Sequence, residues 1–262
     1  MSENINLNLK NVSIVIPAYN EERRIKPVLD DISDFIKSNN LIWEVIIVIE
    51  GNDNTEKIVN SYHEKFPFIL SIKLPGRNGM GNAIKKGILA SKGDYIILMD
   101  ADSSSKISDM INKVKDLERF ESYDIINFDR YSLKENNIPF KRRFPGRGLN
   151  FILRALFKID VLDTQCDYKI MKKSAVQPVI NKITVTNAFF LSAIFIYAKK
   201  MKLNIIEIPI RYHHKEGSKF NIISTTLSYL LSIFAFIIRH SRFYKYIPDW
   251  ARNLYYRKFK WI

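Results

Sequence analysis

The feature that most constrains the fold of this chain is the alternation of short apolar runs with amphipathic stretches over roughly its first 130 residues. Runs rich in β-branched and large apolar residues predict strands at 12–16, 43–49, 68–74, 94–99 and 124–128. Between them, apolar residues spaced three and four apart predict helices at 22–38, 54–65, 81–91 and 107–119. This alternation predicts an α/β fold with a parallel sheet and right-handed crossovers.

Beyond residue 131 the pattern becomes less regular. A polar, basic loop leads to a predicted helix near 148–157, and a further helix and strand are predicted near 187–200 and 203–210. No repeat, low-complexity tract or proline-rich linker divides the sequence. We therefore expect one catalytic domain over residues 1–219, with an appended segment over residues 220–262.

Composition narrows the class of protein. The net charge of +14 indicates a polyanionic partner, which is nucleic acid, nucleotide phosphate or an anionic membrane surface. A single cysteine, Cys166, excludes an intrachain disulfide and thus a disulfide-stapled secreted fold. Residues 1–11 are polar and lack the apolar core of a signal peptide, so we expect the catalytic part to lie in the cytoplasm.

Two carboxylates follow the fourth predicted strand at once. Asp100 and Asp102 stand one position apart where the apolar run opens into a loop. At the carboxyl end of a strand both can face one cleft and hold Mg²⁺ or Mn²⁺, which would bridge to the phosphates of a nucleotide. The alternative is that the pair is an ordinary solvated loop or a helix cap.

Three other loops belong to the same predicted edge of the sheet. Pro17-Ala18-Tyr19-Asn20-Glu21 follows the first strand, with Pro17 expected to break that strand, and Glu50 ends the second. The loop Arg77-Asn78-Gly79-Met80-Gly81 opens a helix, so its backbone can approach phosphate closely. In open α/β sheets nucleotides bind at the carboxyl ends of the strands.

These motifs, in this order, resemble glycosyltransferase family 2, whose members have the GT-A fold, a Rossmann-like fold that binds nucleotide sugars. The segment Asp163-Thr164-Gln165-Cys166-Asp167-Tyr168-Lys169 is similar to the Asp-Thr-Gln-Cys-Gly-Phe-Lys motif of dolichyl-phosphate glucosyltransferases and related polyprenyl-phosphate mannosyltransferases. Gly217-Ser218-Lys219 matches the same subgroup. Three positions depart from it: Glu50 lies in a run that is usually Asp-Asp-Gly-Ser, Met80 replaces a common Lys, and Asp167 replaces a Gly.

The resemblance implies inverting transfer of glucose or mannose, from UDP-glucose or GDP-mannose, to a polyprenyl or dolichyl phosphate, with Mg²⁺ or Mn²⁺ on the donor. Asp100 and Asp102 would hold the metal, and Lys219 would close over the diphosphate. The expected donor-binding residues are Pro17, Tyr19, Glu21, Glu50, Arg77, Gly79, Asp100, Ala101, Asp102 and Lys219.

Arg130, Arg143 and Arg147 fall in the segment that resembles the acceptor site, and guanidinium groups suit a lipid phosphate. A phosphate monoester is ionised near neutral pH, so the reaction needs no base to generate its nucleophile. Asp163 would then position the acceptor loop or the metal, although an acid in this region can be the base in relatives that act on hydroxyls. Asp102, Asp163 and Arg130 are the candidate catalytic residues.

The carboxyl-terminal segment predicts contact with a membrane. Residues 220–238 carry no charge and approach the length of a transmembrane helix, but Asn221, Thr225, Ser228, Ser232 and Arg239 form one polar stripe. The amphipathic pattern and the basic, aromatic tail favour a peripheral or monotopic position at the cytoplasmic face of a membrane. The alternative is that this helix packs against the catalytic domain or against a second copy in a homo-oligomer.

Two other functions remain open from the sequence. A member of the same family that glycosylates a sugar or protein hydroxyl would show the same donor motifs. A basic nucleic-acid-binding protein would explain the charge, but would need a basic groove with stacking aromatics in place of a nucleotide-sugar cleft. The ordered motifs favour the enzyme, with no nucleic-acid partner.

Overall fold

A computed structural model describes residues 9–215, 222–248 and 250 of the chain. In this part, seven strands form one sheet in the order β3-β2-β1-β4-β6-β5-β7. The strands are β1 (Val12–Tyr19), β2 (Glu44–Glu50), β3 (Ile69–Lys73), β4 (Tyr95–Leu98), β5 (Ile125–Asp129), β6 (Lys169–Lys172) and β7 (Ile205–Pro209). The helices are α1 (Ile25–Ser38), α2 (Thr55–Lys65), α3 (Met80–Ala90), α4 (Ile107–Lys115), α5 (Phe140–Phe157), α6 (Lys173–Lys182), α7 (Phe189–Lys200) and α8 (Ile222–Arg239).

The sheet is mixed, not fully parallel as the sequence predicts. Strand β6 runs antiparallel to both of its neighbours, β4 and β5, whereas all the other pairs are parallel. The sequence pattern misses β6 because the strand has only four residues and a lysine at each end. Lys169 is nevertheless buried, and its ammonium donates to Asn127 Oδ1 (2.9 Å) and to the carbonyl of Cys166.

Apolar side chains of the central strands fill a core on each face of the sheet. In β1, Ile14 and Ile16 pack with α1 and α4 on one face, while Val15 packs with α3 and α7 on the other. The central strands are continuous apolar runs in the sequence because both faces of the sheet are covered, so that the side chains on each face of a strand are buried. The α/β prediction is confirmed.

Strand β1 does not break at Pro17 but continues to Tyr19. Pro17 pairs in register with Val48 of β2, whereas the pairing of β1 with β4 ends at Val15. Alternate residues of a strand direct their backbone groups to alternate neighbours. The backbone nitrogen of Pro17, which carries no hydrogen, therefore faces the side where the pairing with β4 has already ended. No ladder hydrogen bond is lost there.

Two helices differ from the sequence prediction. Helix α5 begins at Phe140, eight residues before the predicted start, and so carries Arg142 and Arg143 on a helix in place of a loop. Helix α6 is not predicted at all. Both helices contain a proline, Pro145 in α5 and Pro178 in α6, which lowers the helix propensity of the sequence. The sequence pattern therefore does not predict these helical residues, because the helices are stabilised by packing.

Helix α8 packs against α5 and α7. Its buried side chains include Tyr229, Ile233 and Phe236, and Ser232 accepts a hydrogen bond from the Asn187 amide (2.8 Å). The opposite side exposes large apolar residues, which are Leu227, Leu230, Phe234 and Ile237. No helix in the described ranges has both the length and the apolarity needed to cross a bilayer.

Candidate active site

A cavity of about 740 Å³ opens at the carboxyl edge of the sheet. It is lined by the ends of β1, β2 and β4, by the segment that enters β6, and by residues of α5, α7 and α8. The segment before β6 reaches this edge because β6 runs opposite to the other strands. Most of the residues predicted from sequence line the cavity: Pro17, Tyr19, Glu21, Glu50, Arg77, Asp100, Ala101, Asp102 and Arg130.

The paired carboxylates lie at the end of β4. The hydroxyl of Tyr168 donates to Asp100 Oδ1 (2.7 Å) and accepts from the Ser105 N–H (3.0 Å), which fixes the loop. Asp102 Oδ1 accepts from the Ser104 N–H (2.9 Å). Burial raises the pKa of Asp100 well above its usual value, and the charge of Asp102 raises it further. A cation bound at Asp100 and Asp102 would reduce the repulsion between the two carboxylates and favour the ionised form of Asp100.

Asp100 and Asp102 form a pair and not a complete set of protein ligands. Among the described residues there is no group of three or more His, Cys, Asp or Glu side chains that could hold a metal ion. Mg²⁺ and its relatives are commonly bound by one or two carboxylates together with substrate phosphates. The donor set therefore fits a divalent cation that arrives with, or is completed by, a diphosphate.

Glu50 connects the end of β2 to the glycine loop. This carboxylate is buried and accepts a hydrogen bond from the Asn78 N–H (2.9 Å), and burial raises its pKa. Gly51, the next residue, has φ of +94°, and a Cβ there would lie 2.0 Å from Asn20 Oδ1. Only glycine fits this position. Gly79 is the N-cap of α3 but is not part of the cavity lining.

Cations flank the donor half of the cavity. The guanidinium of Arg77 lies over the ring of Tyr19, 4.8 Å from its centroid. Arg24 makes two hydrogen bonds to Glu21 (2.6 and 2.7 Å), and its Nη1 lies 3.6 Å from Asp102 Oδ2. The sequence analysis does not predict Arg24, although it lies only three residues after the first motif. Its charge lies beside the carboxylate pair.

Arg130 is a further cation in the cavity lining. Its Nε and Nη2 donate to Asp163 Oδ2 (2.7 Å) and Oδ1 (2.9 Å). Burial opposes the charge of Arg130, but the Asp163 carboxylate outweighs burial and holds the pKa of Arg130 well above its ordinary value. Asp163 is fully buried and absent from the cavity lining, so it orients Arg130 from behind.

Asp163 is itself held in place by Glu207 of β7. The Glu207 carboxylate accepts from the N–H groups of Leu162 (2.6 Å) and Asp163 (2.9 Å) and from the Asn127 amide (2.7 Å). Burial raises the pKa of Glu207. Three hydrogen bonds to one half-buried side chain fix the start of the segment that enters β6.

The remaining predicted residues lie elsewhere. Arg143 and Arg147 of α5 are not part of the cavity lining, whereas Arg142 is. Arg147 stands over the ring of Tyr131, 5.7 Å from its centroid, and Tyr131 does line the cavity. Lys219 and residues 251–262 of the basic, aromatic tail lie outside the described residues.

Sequence reasoning missed several lining residues. Tyr229 of α8 was assigned to a membrane segment, and the start of α5, which carries Arg142, was read as a loop. Asp167 was noticed only as a departure from a motif. The missed set that bears on chemistry is Arg24, Tyr131, Arg142, Gln165, Asp167, Asn187, Tyr212 and Tyr229.

Comparison with known proteins identifies the family. The model of glycosyl transferase family 2 matches residues 13–179, which covers β1 through most of α6. The chain belongs to this family. A comparison with solved structures identifies the fold of this family 2 glycosyltransferase. The chain is similar to the crystal structure of Mycobacterium tuberculosis glucosyl-3-phosphoglycerate synthase, with a TM-score of 0.65 and 16% sequence identity. The match covers 86% of this chain and 80% of that one. The GT-A fold expected from the resemblance is confirmed.

Two sequence relatives of this glycosyltransferase carry the name dolichyl-phosphate beta-glucosyltransferase. The protein from Trichomonas vaginalis is 30% identical over 224 residues, which are 80% of this chain and 68% of the relative. The protein from Dictyostelium discoideum is 30% identical over 231 residues, which are 82% of this chain and 70% of the relative. The resemblance to this subgroup, drawn from the motifs alone, is confirmed.

Proposed function

We propose that this glycosyltransferase moves glucose from UDP-glucose to the phosphate of dolichol or a related polyprenol, with inversion at the anomeric carbon. The observation that carries the proposal is that one cavity is lined by a carboxylate pair, by Arg77 and Met80 of the glycine loop, and by Arg130 and Arg142. The names of the sequence relatives support glucose and dolichyl phosphate over mannose.

The donor half suits a nucleoside diphosphate. The glycine loop allows close backbone approach to phosphate, and Arg77 adds a cation beside Tyr19. Asp100 and Asp102 would hold Mg²⁺ or Mn²⁺, which when bound supplies a Lewis acid for the leaving diphosphate. A structural neighbour in the same fold is described in complex with Mn²⁺ and UDP, which supports this choice. Lys219 remains a proposed donor-binding residue.

The acceptor half suits a phosphate monoester. Asp163 occupies Nε and Nη2 of Arg130 and so fixes the plane of the guanidinium at the cavity wall. Arg142 adds a second cation to the same lining. Because the acceptor is ionised before it binds, these cations attract and orient the nucleophile, and no general base is required. Asp163 acts as a positioning residue, and Arg143 and Arg147 would attract the headgroup from outside.

The lipid chain would enter between α5 and α8, because Leu149 of α5 and Tyr229 of α8 both line the cavity. Outside it, the two helices carry exposed apolar side chains, which are Phe140, Phe144, Phe151, Leu156, Leu227, Leu230, Phe234 and Ile237. Basic residues accompany them on α5: Lys141, Arg142, Arg143, Arg147 and Arg154. An apolar surface with basic residues fits an anionic lipid surface.

The exposed apolar and basic surface of α5 and α8 supports a proposal on where the enzyme acts. Residues 1–219 would carry the chemistry and residues 220–262 would hold the enzyme at the cytoplasmic face of a membrane, peripherally or monotopically. Homo-oligomerisation remains a prediction from the apolar helix.

The decisive experiment incubates purified protein with Mn²⁺, radiolabelled UDP-glucose or GDP-mannose, and dolichyl phosphate, followed by organic extraction. We expect a labelled lipid from UDP-glucose whose anomeric proton has the coupling of a β-linkage. A labelled product that forms only with sugar or protein hydroxyl acceptors would contradict the proposal and favour the second candidate function. Labelling from GDP-mannose alone would contradict the assignment of the sugar.

A further inference from the structure

Two polar side chains of the segment before β6, those of Gln165 and Asp167, belong to residues that line the cavity, and each has one buried atom without a hydrogen-bond partner among the described residues. Gln165 Nε2 and Asp167 Oδ1 are both buried, and neither makes a hydrogen bond to any part of the chain that the structure describes. Both residues line the cavity. Buried donors and acceptors are nearly always paired, so two orphans at one cavity wall indicate a ligand that completes them.

The segment that carries these atoms is fixed at both ends. Asp163, at its start, is bound to Arg130 by two hydrogen bonds. Tyr168, at its end, donates to Asp100. Along the chain, Gln165 and Asp167 lie between Asp163, which holds the residue proposed to bind the acceptor phosphate, and Tyr168, which holds a residue proposed to bind the metal. The transferred group must lie between the acceptor phosphate and the donor diphosphate, so these two cavity residues are candidates to contact it.

The chemistry of the two orphans discriminates among ligands. An amide N–H can only donate, and an ionised carboxylate oxygen can only accept. A phosphate could satisfy Gln165 but would be repelled by Asp167, and a metal ion could satisfy Asp167 but would accept nothing from Gln165. Sugar hydroxyls both donate and accept, so a hexose satisfies both atoms.

We propose that Gln165 and Asp167 form the subsite for hydroxyl groups of the transferred hexose, and that they determine its recognition. This proposal rests on the proposed function, because it assumes a nucleotide sugar in the cavity. Asp167 departs from the motif that the segment resembles, which has a glycine there. A glycine offers no side-chain acceptor, so Asp167 adds a contact that the motif itself does not supply.

The test compares UDP-glucose with UDP, since the two ligands differ only in the sugar. Affinities of the full-length protein are measured by titration calorimetry with Mn²⁺ for the wild type, Asp167→Asn, Gln165→Ala and the control Asp160→Asn. Asp160 is a matched control because its carboxylate is 99% exposed and lies outside the cavity lining. Circular dichroism verifies that each variant is folded.

We expect Asp167→Asn to weaken UDP-glucose binding about tenfold or more, as for loss of a charged hydrogen bond, with the affinity for UDP unchanged. Gln165→Ala should weaken the binding of UDP-glucose several-fold and leave the affinity for UDP unchanged. The control Asp160→Asn should change neither affinity. In turnover, KM for UDP-glucose should rise while KM for the lipid phosphate stays constant.

Three results would overturn the subsite. Equal losses for UDP and UDP-glucose in the Asp167 and Gln165 variants would assign both residues to loop structure, and no loss in either would leave them without a role in recognition. If the wild type binds neither nucleotide, the proposed donor is wrong and the subsite falls with it. Normal binding by the wild type together with unaltered variants would remove the subsite alone.

Discussion

Arg130 and Asp163 form a buried two-point ion pair, with Nε to Oδ2 at 2.7 Å and Nη2 to Oδ1 at 2.9 Å. The side chain of Asp163 is fully buried, and that of Arg130 is 15% exposed. One partner thus faces the cavity and the other supports it from the protein interior. The pair couples the orientation of a cavity cation to the stability of the fold.

Asp163→Ala should therefore destabilise the protein as well as inactivate it. Removing the carboxylate leaves a buried guanidinium without its partner, which typically costs about 3–5 kcal/mol in the free energy of unfolding. Urea unfolding followed by circular dichroism measures the loss. Asp160→Ala, which removes an exposed partner 3.9 Å from Lys199, should leave the midpoint unchanged. Equal midpoints for both variants would contradict a buried ion pair.

Asp102→Asn should abolish transfer without unfolding the protein. The amide oxygen can still accept from the Ser104 N–H, so the loop keeps its hydrogen bond. The charge that would hold a divalent cation is lost, and activity should fall at least about a hundredfold. The measurements are glucose transfer at saturating Mn²⁺ and Mn²⁺ binding in the presence of UDP. Full activity in this variant would remove Asp102 from the metal site.

The half-buried carboxyl of Glu207 predicts a dependence of stability on pH. Its pKa in the folded state is raised above the ordinary value of 4.5 by burial, so the folded state binds more protons than the unfolded state above that pH. The contribution of Glu207 to the free energy of unfolding is therefore greatest below pH 4.5, and it declines as the pH rises through the folded-state pKa of Glu207. In Glu207→Gln this decline should be absent.

Urea midpoints of the wild type and Glu207→Gln, measured between pH 4 and pH 8, test the prediction. The stability advantage of the wild type over the variant should be larger at pH 4 than at pH 7. A difference that is constant over this range, or that grows with pH, would contradict a raised pKa at Glu207.

The exposed apolar side chains of α5 and α8 predict binding to anionic vesicles. Phe144 is 70% exposed and Phe234 is 63% exposed. Replacing both by Ser should lower the affinity for phosphatidylserine vesicles by roughly a hundredfold or more, because each buried Phe contributes about 1.5–3 kcal/mol. Vesicle co-sedimentation measures the effect. Ile42→Ser is the control, since Ile42 is 90% exposed on a loop between α1 and β2. The same loss in this control would argue against a specific surface.

Sequence patterns predicted the first four strands and the cavity residues that follow them well, for a physical reason. Strands buried on both faces need continuous apolar runs, and the polar residues that follow each run must lie at one edge of a parallel sheet. Asp100, Glu50 and Tyr19 were placed correctly at the cavity by this logic. Pro17 was misread as a break because its tolerance depends on where the neighbouring strand ends.

The acceptor half resisted prediction because tertiary contacts override local preferences there. Lys169 is a strand residue only because Asn127 and the Cys166 carbonyl accept its buried ammonium. Helix α5 forms through Pro145 and places Arg142 in the cavity, where the sequence suggested Arg143 and Arg147. The polar stripe of α8 likewise proved to contain packing residues, with Ser232 bonded to Asn187.

The reversed direction of β6 separates two kinds of evolutionary change. The donor loops sit between elements whose lengths and registers are tied to β1, β2 and β4, so altering one of them disturbs the sheet. The segment 163–168 reaches the same cavity before a strand that runs in the opposite direction. Insertions there would reshape the wall proposed to bind the acceptor phosphate and the hexose while the loops proposed to bind the nucleotide stay intact, so a lineage with this architecture could change its acceptor or its sugar without giving up the nucleotide.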